Sequence, residues 1–94
     1  MDQSRADRIR TTLEAAFAPA QIIVQDDSAK HAGHAGARPE GETHYSVEVI
    51  SPAFAGRSRV DRSRAVHAVL AGEFSRGLHA LALRLMTPEE AARA

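Results

Sequence analysis

The segment Thr43 to Ile50 reads THYSVEVI, with Tyr45, Val47 and Val49 alternating against His44, Ser46 and Glu48. A period of two sends one set of side chains to a buried face and the other toward solvent, as in a half-buried strand. The pattern before it is different. Ile9, Leu13 and Phe17 recur every four residues behind Ser4, a good N-cap, so residues 5–17 read as an amphipathic helix that Pro19 brings to an end. A chain that switches between these two periods must stack helices on a sheet.

The remaining segments extend that pattern. Ile22, Ile23 and Val24 form a short β-branched run that stops at Asp26-Asp27-Ser28, a turn cluster. The stretch AKHAGHAGARPEGE that follows has no apolar period and is expected to be an exposed loop, spanning about 28–42. Its length makes an antiparallel pair of the flanking strands the simplest arrangement. After Ser51-Pro52, PAFAGRS suggests a short helical turn and a glycine break. Residues 60–75 then read as one long helix with Val66, Val69, Leu70 and Phe74 on a stripe, and Gly77 as its left-handed cap. Leu78 to Leu85 alternates again as a third strand. Thr87-Pro88-Glu89-Glu90 opens a short C-terminal helix over about 88–93. The expected fold is α+β in the order α-β-β-α-α-β-α. It has a three-stranded mixed sheet with helices packed on one face, a KH-like type II arrangement, and residues 1–94 form a single domain.

Composition limits the chemistry. Only 4% of residues are aromatic, so Ala, Val, Leu and Ile must build a thin core. Twelve basic and twelve acidic side chains cancel, which leaves no overall field for phosphate. There is no cysteine, hence no disulfide framework and no self-contained thiolate metal site. No run approaches the ~20 apolar residues of a membrane span, and MDQSRADRIR has no signal-peptide character, so a cytoplasmic location without membrane attachment is expected. No nucleophile elbow, phosphate loop or zinc-protease motif is present, and no catalytic residue is expected.

The histidines are therefore the groups to weigh. His31 and His34 stand three apart in a glycine-rich segment, where they are either solvated side chains or a pair able to reorient onto one metal. His79 shares the parity of Leu81, Leu83 and Leu85. It reads as a hydrogen-bonded, partly buried histidine or as a ligand at the strand's edge, beside the loop that carries His31. His44 reads as a structural hydrogen-bonding residue and His67 as a helix-surface one. Arg57, Arg59, Arg62 and Arg64 make GRSRVDRSR the most basic stretch, open to a helix-turn-helix reading, although Asp61 interrupts it. The GxxG loop with which KH domains clamp nucleic acid between two helices has no counterpart between the expected helices.

Taken together, DDSAKH, GETHYSVEVIS, FAGRSRVDRSRAV and GLHALALRLMTPEE, in this order, resemble the BolA family from Ile9 to about Glu90. The resemblance implies the KH-like fold, and a non-enzymatic adaptor that binds a monothiol glutaredoxin and shares a [2Fe-2S] cluster with it. It also implies His79 as one ligand and His31 as the second, with His34 the near alternative. The other two ligands would be a glutaredoxin cysteine and a glutathione thiolate, with no cofactor and a monomer or weak homodimer when the chain is alone. The family's Arg-His-Arg is here Arg62-Ser63-Arg64, without the central ring. Some family members are reported to bind DNA, which makes a transcriptional regulator acting through the arginine cluster the alternative.

Overall fold

Helix α1, Arg5–Phe17, starts where the Ser4 hydroxyl accepts the Asp7 N–H at 3.2 Å, with Asp7 placed favourably in the first turn. Its four-residue apolar spacing buries Ile9, Leu13 and Phe17 against the sheet. The computed structural model describes residues 4–27 and 43–94, so the loop expected near 28–42 lies outside the described residues.

Strand β1 covers Gln21–Asp26, β2 covers His44–Ile50 and β3 covers Ala80–Met86. The sheet order is β1-β2-β3, with β1 antiparallel and β3 parallel to the central β2. The register pairs Ile22 with Val49, Val24 with Val47, and Tyr45, Val47 and Val49 with Leu81, Leu83 and Leu85. All these side chains share one face, which the helices cover. The expected alternation in β2 is therefore present, with Tyr45, Val47 and Val49 all buried.

The chain leaves β2 through Ser51, whose buried hydroxyl donates to the Phe17 carbonyl at 2.7 Å and accepts the Ala53 N–H at 3.1 Å. One side chain thus fastens the end of α1 to the end of the central strand. PAF forms the short helical turn expected there, a single 3-10 turn, and it buries Phe54 against Phe17 at 5.0 Å between ring centroids. Gly56 then takes a positive φ of 74°, the break expected there.

The single helix expected over 60–75 is instead two. Helix α2, Arg59–Val69, stops at Leu70 (φ −99°, ψ 8°), and α3, Ala71–Ser75, resumes with a 2.9 Å bond from Glu73 N–H to Leu70 O. The order α-β-β-α-α-β-α holds, but its middle pair comes from this break. The break separates the expected stripe, because Val66 and Leu70 are buried while Val69 is exposed. Phe74 stacks on His67 at 5.5 Å. Poor helix propensity at Gly72 and the pull on Glu73 act in the same direction. The Glu73 carboxylate accepts Arg8 Nε at 2.8 Å and Arg5 Nε at 3.1 Å, tying α3 to α1. Arg8 first, and Arg5 after it, hold the Glu73 carboxyl below its ordinary value against the opposing effect of burial. Gly77, at φ 116°, then turns the chain into β3, as its expected cap role required.

Arg62 is the second internal clasp. Its buried guanidinium donates to Arg57 O at 3.0 Å and Leu85 O at 3.1 Å, and pairs with Glu90 at 2.6 Å. Glu90 also closes the capping box of α4, Pro88–Arg93, by accepting the Thr87 N–H at 2.8 Å. No helix among the described residues is long and apolar enough to cross a membrane.

Arg62→Met keeps the aliphatic stem but leaves two carbonyls and a carboxylate without their donor. It is expected to cost about 2 kcal/mol in urea unfolding, with Arg62→Lys recovering part of it. Acid titration checks the same clasp from the other side. The Arg62 hydrogen bond, then the Thr87 N–H, lower the Glu90 pKa from 4.5 to about 2. A depressed carboxyl stabilises the fold fully above its unfolded value and loses that contribution as pH falls through the folded one. The urea midpoint should therefore drop between pH 4.5 and 2, less steeply in Glu90→Gln.

Candidate functional site

Parallel pairing of β2 with β3 puts the starts of both strands at one end of the sheet, and antiparallel pairing brings the end of β1 there too. Three backbone bonds define this end. The Thr43 carbonyl accepts His79 N–H at 2.8 Å and Ala80 N–H at 3.1 Å, and the His44 carbonyl accepts Asp27 N–H at 2.7 Å. The Ser46 hydroxyl donates to the Asp27 carboxylate beside them. Asp27 and Thr43, which bound residues 28–42, are thus both tied to the sheet end that carries His79.

His79 precedes β3 rather than opening it, since the strand begins at Ala80. Its backbone is held on both sides, by the Thr43 bond and by Leu78, which is buried and donates its N–H to Glu73 O at 3.0 Å. Its side chain is exposed, and its ring makes no hydrogen bond among the described residues. The reading of His79 as a hydrogen-bonded, partly buried histidine is therefore corrected: strand parity holds only inside the sheet, and this residue stands beyond its last rung. A fixed backbone under a solvent-facing imidazole is an arrangement in which a ring nitrogen can meet a ligand from outside.

His44 is the neighbour that sequence reasoning set aside. Its ring lies 6.1 Å from that of His79, edge to face, and its Nδ1 is 2.8 Å from the Thr43 hydroxyl. That hydrogen bond fixes the ring orientation, as second partners commonly do for histidines near metals. The signal was available in principle, because parallel pairing of a strand that begins at His44 with one that begins just after His79 brings the two histidines together. Among the described residues no cluster of three or more His, Cys, Asp or Glu is poised to hold a metal ion. His31 and His34 lie outside the described residues. His67 sits on α2, with its Nδ1 2.9 Å from Ser63 O, as a helix-surface residue.

The arginine set does not act as one surface. Arg57, Arg59 and Arg64 are exposed, whereas Arg62, expected on the nucleic-acid reading to reach phosphate, is turned inward and spent on Glu90 and two carbonyls. A cation already neutralised inside the fold cannot anchor a phosphate without breaking that clasp.

The family model for BolA-like protein matches residues 13–90, most of the chain. The chain belongs to the BolA-like family. It is 40% identical over 90 residues to Protein BOLA1, chloroplastic, of Arabidopsis thaliana, covering 94% of this chain and 56% of that protein. It is 43% identical to UV-induced protein uvi31 of Schizosaccharomyces pombe, covering 92% of this chain and 88% of the yeast one. Among solved structures, the BolA domain of SufE1 from Arabidopsis thaliana superposes with a TM-score of 0.83 at 41% identity, over 96% of this chain and 99% of that domain. The chain spans little more than half the length of the chloroplast relative.

Thr43→Val tests how this end of a BolA-like sheet is organised. Loss of the hydroxyl should move the His44 ring nitrogen resonances and cost about 1 kcal/mol. The backbone amide of His79, which bonds to the Thr43 carbonyl and not its side chain, should keep its protection from exchange, while the His79 ring, edge to face with His44, shifts only as that ring turns. Histidine-selective nitrogen NMR, amide exchange and thermal unfolding read these outcomes.

Proposed function

We propose that this BolA-like chain is an adaptor in iron–sulfur trafficking or iron homeostasis, which binds a monothiol glutaredoxin and co-ligates a [2Fe-2S] cluster with it. The observation that carries the reading is the exposed imidazole of His79 on a backbone locked at the sheet end, where the segment bearing His31 and His34 departs and returns. His31 is four residues beyond Asp27, which bounds it within about 14 Å of that anchored position. Either loop histidine is a candidate second ligand, and His31 has the shorter tether.

The donor set fits such a cluster only in part. A [2Fe-2S] centre takes four ligands, and two imidazoles on one iron are compatible with it. This chain has five histidines and no cysteine, so it offers imidazole alone and the thiolates must come from elsewhere. A glutaredoxin cysteine and a glutathione thiol fill that role in the proposal. Alone, the chain would carry no cluster. The requirement for an outside thiolate also makes an adaptor the natural role, because the site is complete only in the complex.

The test mixes the protein with cluster-loaded monothiol glutaredoxin and follows visible absorption and circular dichroism under anaerobic conditions. The wild-type chain should change the cluster's spectrum. His79→Ala should abolish that change with an unaltered far-ultraviolet spectrum, because the ring makes no contact that the fold depends on. Loss with His31→Ala and retention with His34→Ala would assign the second ligand, and the reverse would assign His34. An unchanged spectrum in His79→Ala would sink the reading.

A further inference from the structure

Strand β3 lies at the edge of the sheet. Its Ala80 N–H donates to Thr43 O at 3.1 Å and its Met86 C=O accepts Ser51 N–H at 2.9 Å, so the even-numbered residues aim their backbone groups toward β2. By the two-residue alternation, Leu81, Leu83 and Leu85 aim theirs outward. Arg62 takes one of these, the Leu85 carbonyl. The N–H and C=O of Leu83 and the N–H of Leu85 have no backbone partner among the described residues. A row of this kind is a template for another strand.

Alongside this edge runs a groove of about 500 Å³ between β3 and α2, whose lining includes Arg59, Arg62, Ser63, Leu83, Arg84 and Leu85 and no acidic residue. Arg62 is neutralised by Glu90. Arg84 is 63% exposed and only loosely paired with Glu48 at 3.6 Å, and Arg59 is exposed with no ion pair among the described residues. In a chain of zero net charge, this groove is locally cationic.

We propose that the β3 edge and this groove bind an extended acidic segment of a partner protein, which adds to the sheet as a fourth strand. The outward groups of Leu83 and Leu85 supply the main-chain bonds, Arg59 on the α2 side selects carboxylates at alternate positions of the added strand, and Arg84 on the open face adds to the positive field. A second copy of this chain fits poorly, since it would set like arginines against each other. A single-stranded nucleic acid matches the charge but finds no aromatic ring in the groove on which to stack a base. Leu85 lies six residues beyond His79, about 20 Å along the strand at ~3.3 Å per residue, so the groove is separate from the ligand end.

The probe is a short fluorescein-labelled peptide alternating Glu and Val, titrated into the full chain. Its comparators are the Lys–Val version, a Glu–Val version N-methylated at alternate backbone nitrogens, and oligothymidylate. The Glu–Val peptide should bind and slow amide exchange at Leu83 and Leu85. The Lys–Val and N-methylated peptides should bind at least about tenfold more weakly. Arg59→Glu, at an exposed position that leaves the fold intact, should weaken the Glu–Val peptide about tenfold. Equal binding of the N-methylated peptide or of oligothymidylate would reduce the groove to a charged patch and overturn the proposal. So would absent binding at millimolar peptide, or binding without protection of Leu83 and Leu85.

Discussion

The central strand is the constraint from which the rest follows. Tyr45, Val47 and Val49 can be buried together in only one register, because a one-residue slip would send all three to solvent and bring His44, Ser46 and Glu48 into the core. Pairing on both sides then leaves β1 and β3 no freedom. Ile22 and Val24 must face inward opposite Val49 and Val47, as must Leu81, Leu83 and Leu85 on the other flank. The same register sets His44 against Ala80, which puts His79 one residue off the end of the sheet. A packing requirement in the middle of the strand thus decides the placement of an imidazole at its tip.

With so few aromatic residues, the hydrophobic core is thin, and two arginine–carboxylate clasps join helices that it holds only loosely. Glu73 gathers Arg5 and Arg8 from α1 onto α3, and Arg62 gathers Glu90 from α4 onto α2. Such pairs add little where water surrounds them, but removing one partner of a buried pair is costly because the other is left desolvated. They act more as registration devices than as a reserve of stability. The Arg62 clasp has a further consequence. By engaging Leu85 O it limits how far an added strand could pair along β3, and it takes out of service one of four arginines that a charge count would assign to a ligand.

What was legible in the sequence was what local periodicity dictates. The helix over 5–17, the strand at Tyr45 to Val49, the capped helix after Thr87 and the glycine reversal at Gly77 are each fixed by residues within a few positions. The break at Leu70 was not legible, because it depends on Glu73 reaching Arg5 and Arg8 across 65 or more positions of chain. Arg62 was misread for the same reason. A guanidinium beside Arg59 and Arg64 looks like part of a basic patch until the fold brings Glu90 and two carbonyls to it. At the sheet end, alternation assigned His79 to the leucine face, but a side chain past the last rung lies outside the core and meets the His44 ring edge to face. The proximity of His44 and His79 follows from parallel pairing, which no local pattern states. Family resemblance reached His79 by another route, through the GLHALAL motif itself.

The two ends of β3 are chemically opposite, and the two proposed sites divide between them. At its start the backbone is bonded to Thr43 while the His79 side chain is exposed, so on the proposed reading recognition there runs through a ring nitrogen and is directional. Toward its end the backbone of Leu83 is open among the described residues while its side chain faces the core, so the proposed strand addition would run through main-chain bonds, with arginines supplying selectivity. From His79 it is about 13 Å along the strand to Leu83 and about 20 Å to Leu85, within the length of one short protein segment. A partner that engaged both would gain from the tether, since the second contact becomes intramolecular once the first is made. A partner with either feature alone would hold only half of the surface. A rigid strand carrying two modest sites can in this way discriminate between partners more sharply than either site could by itself.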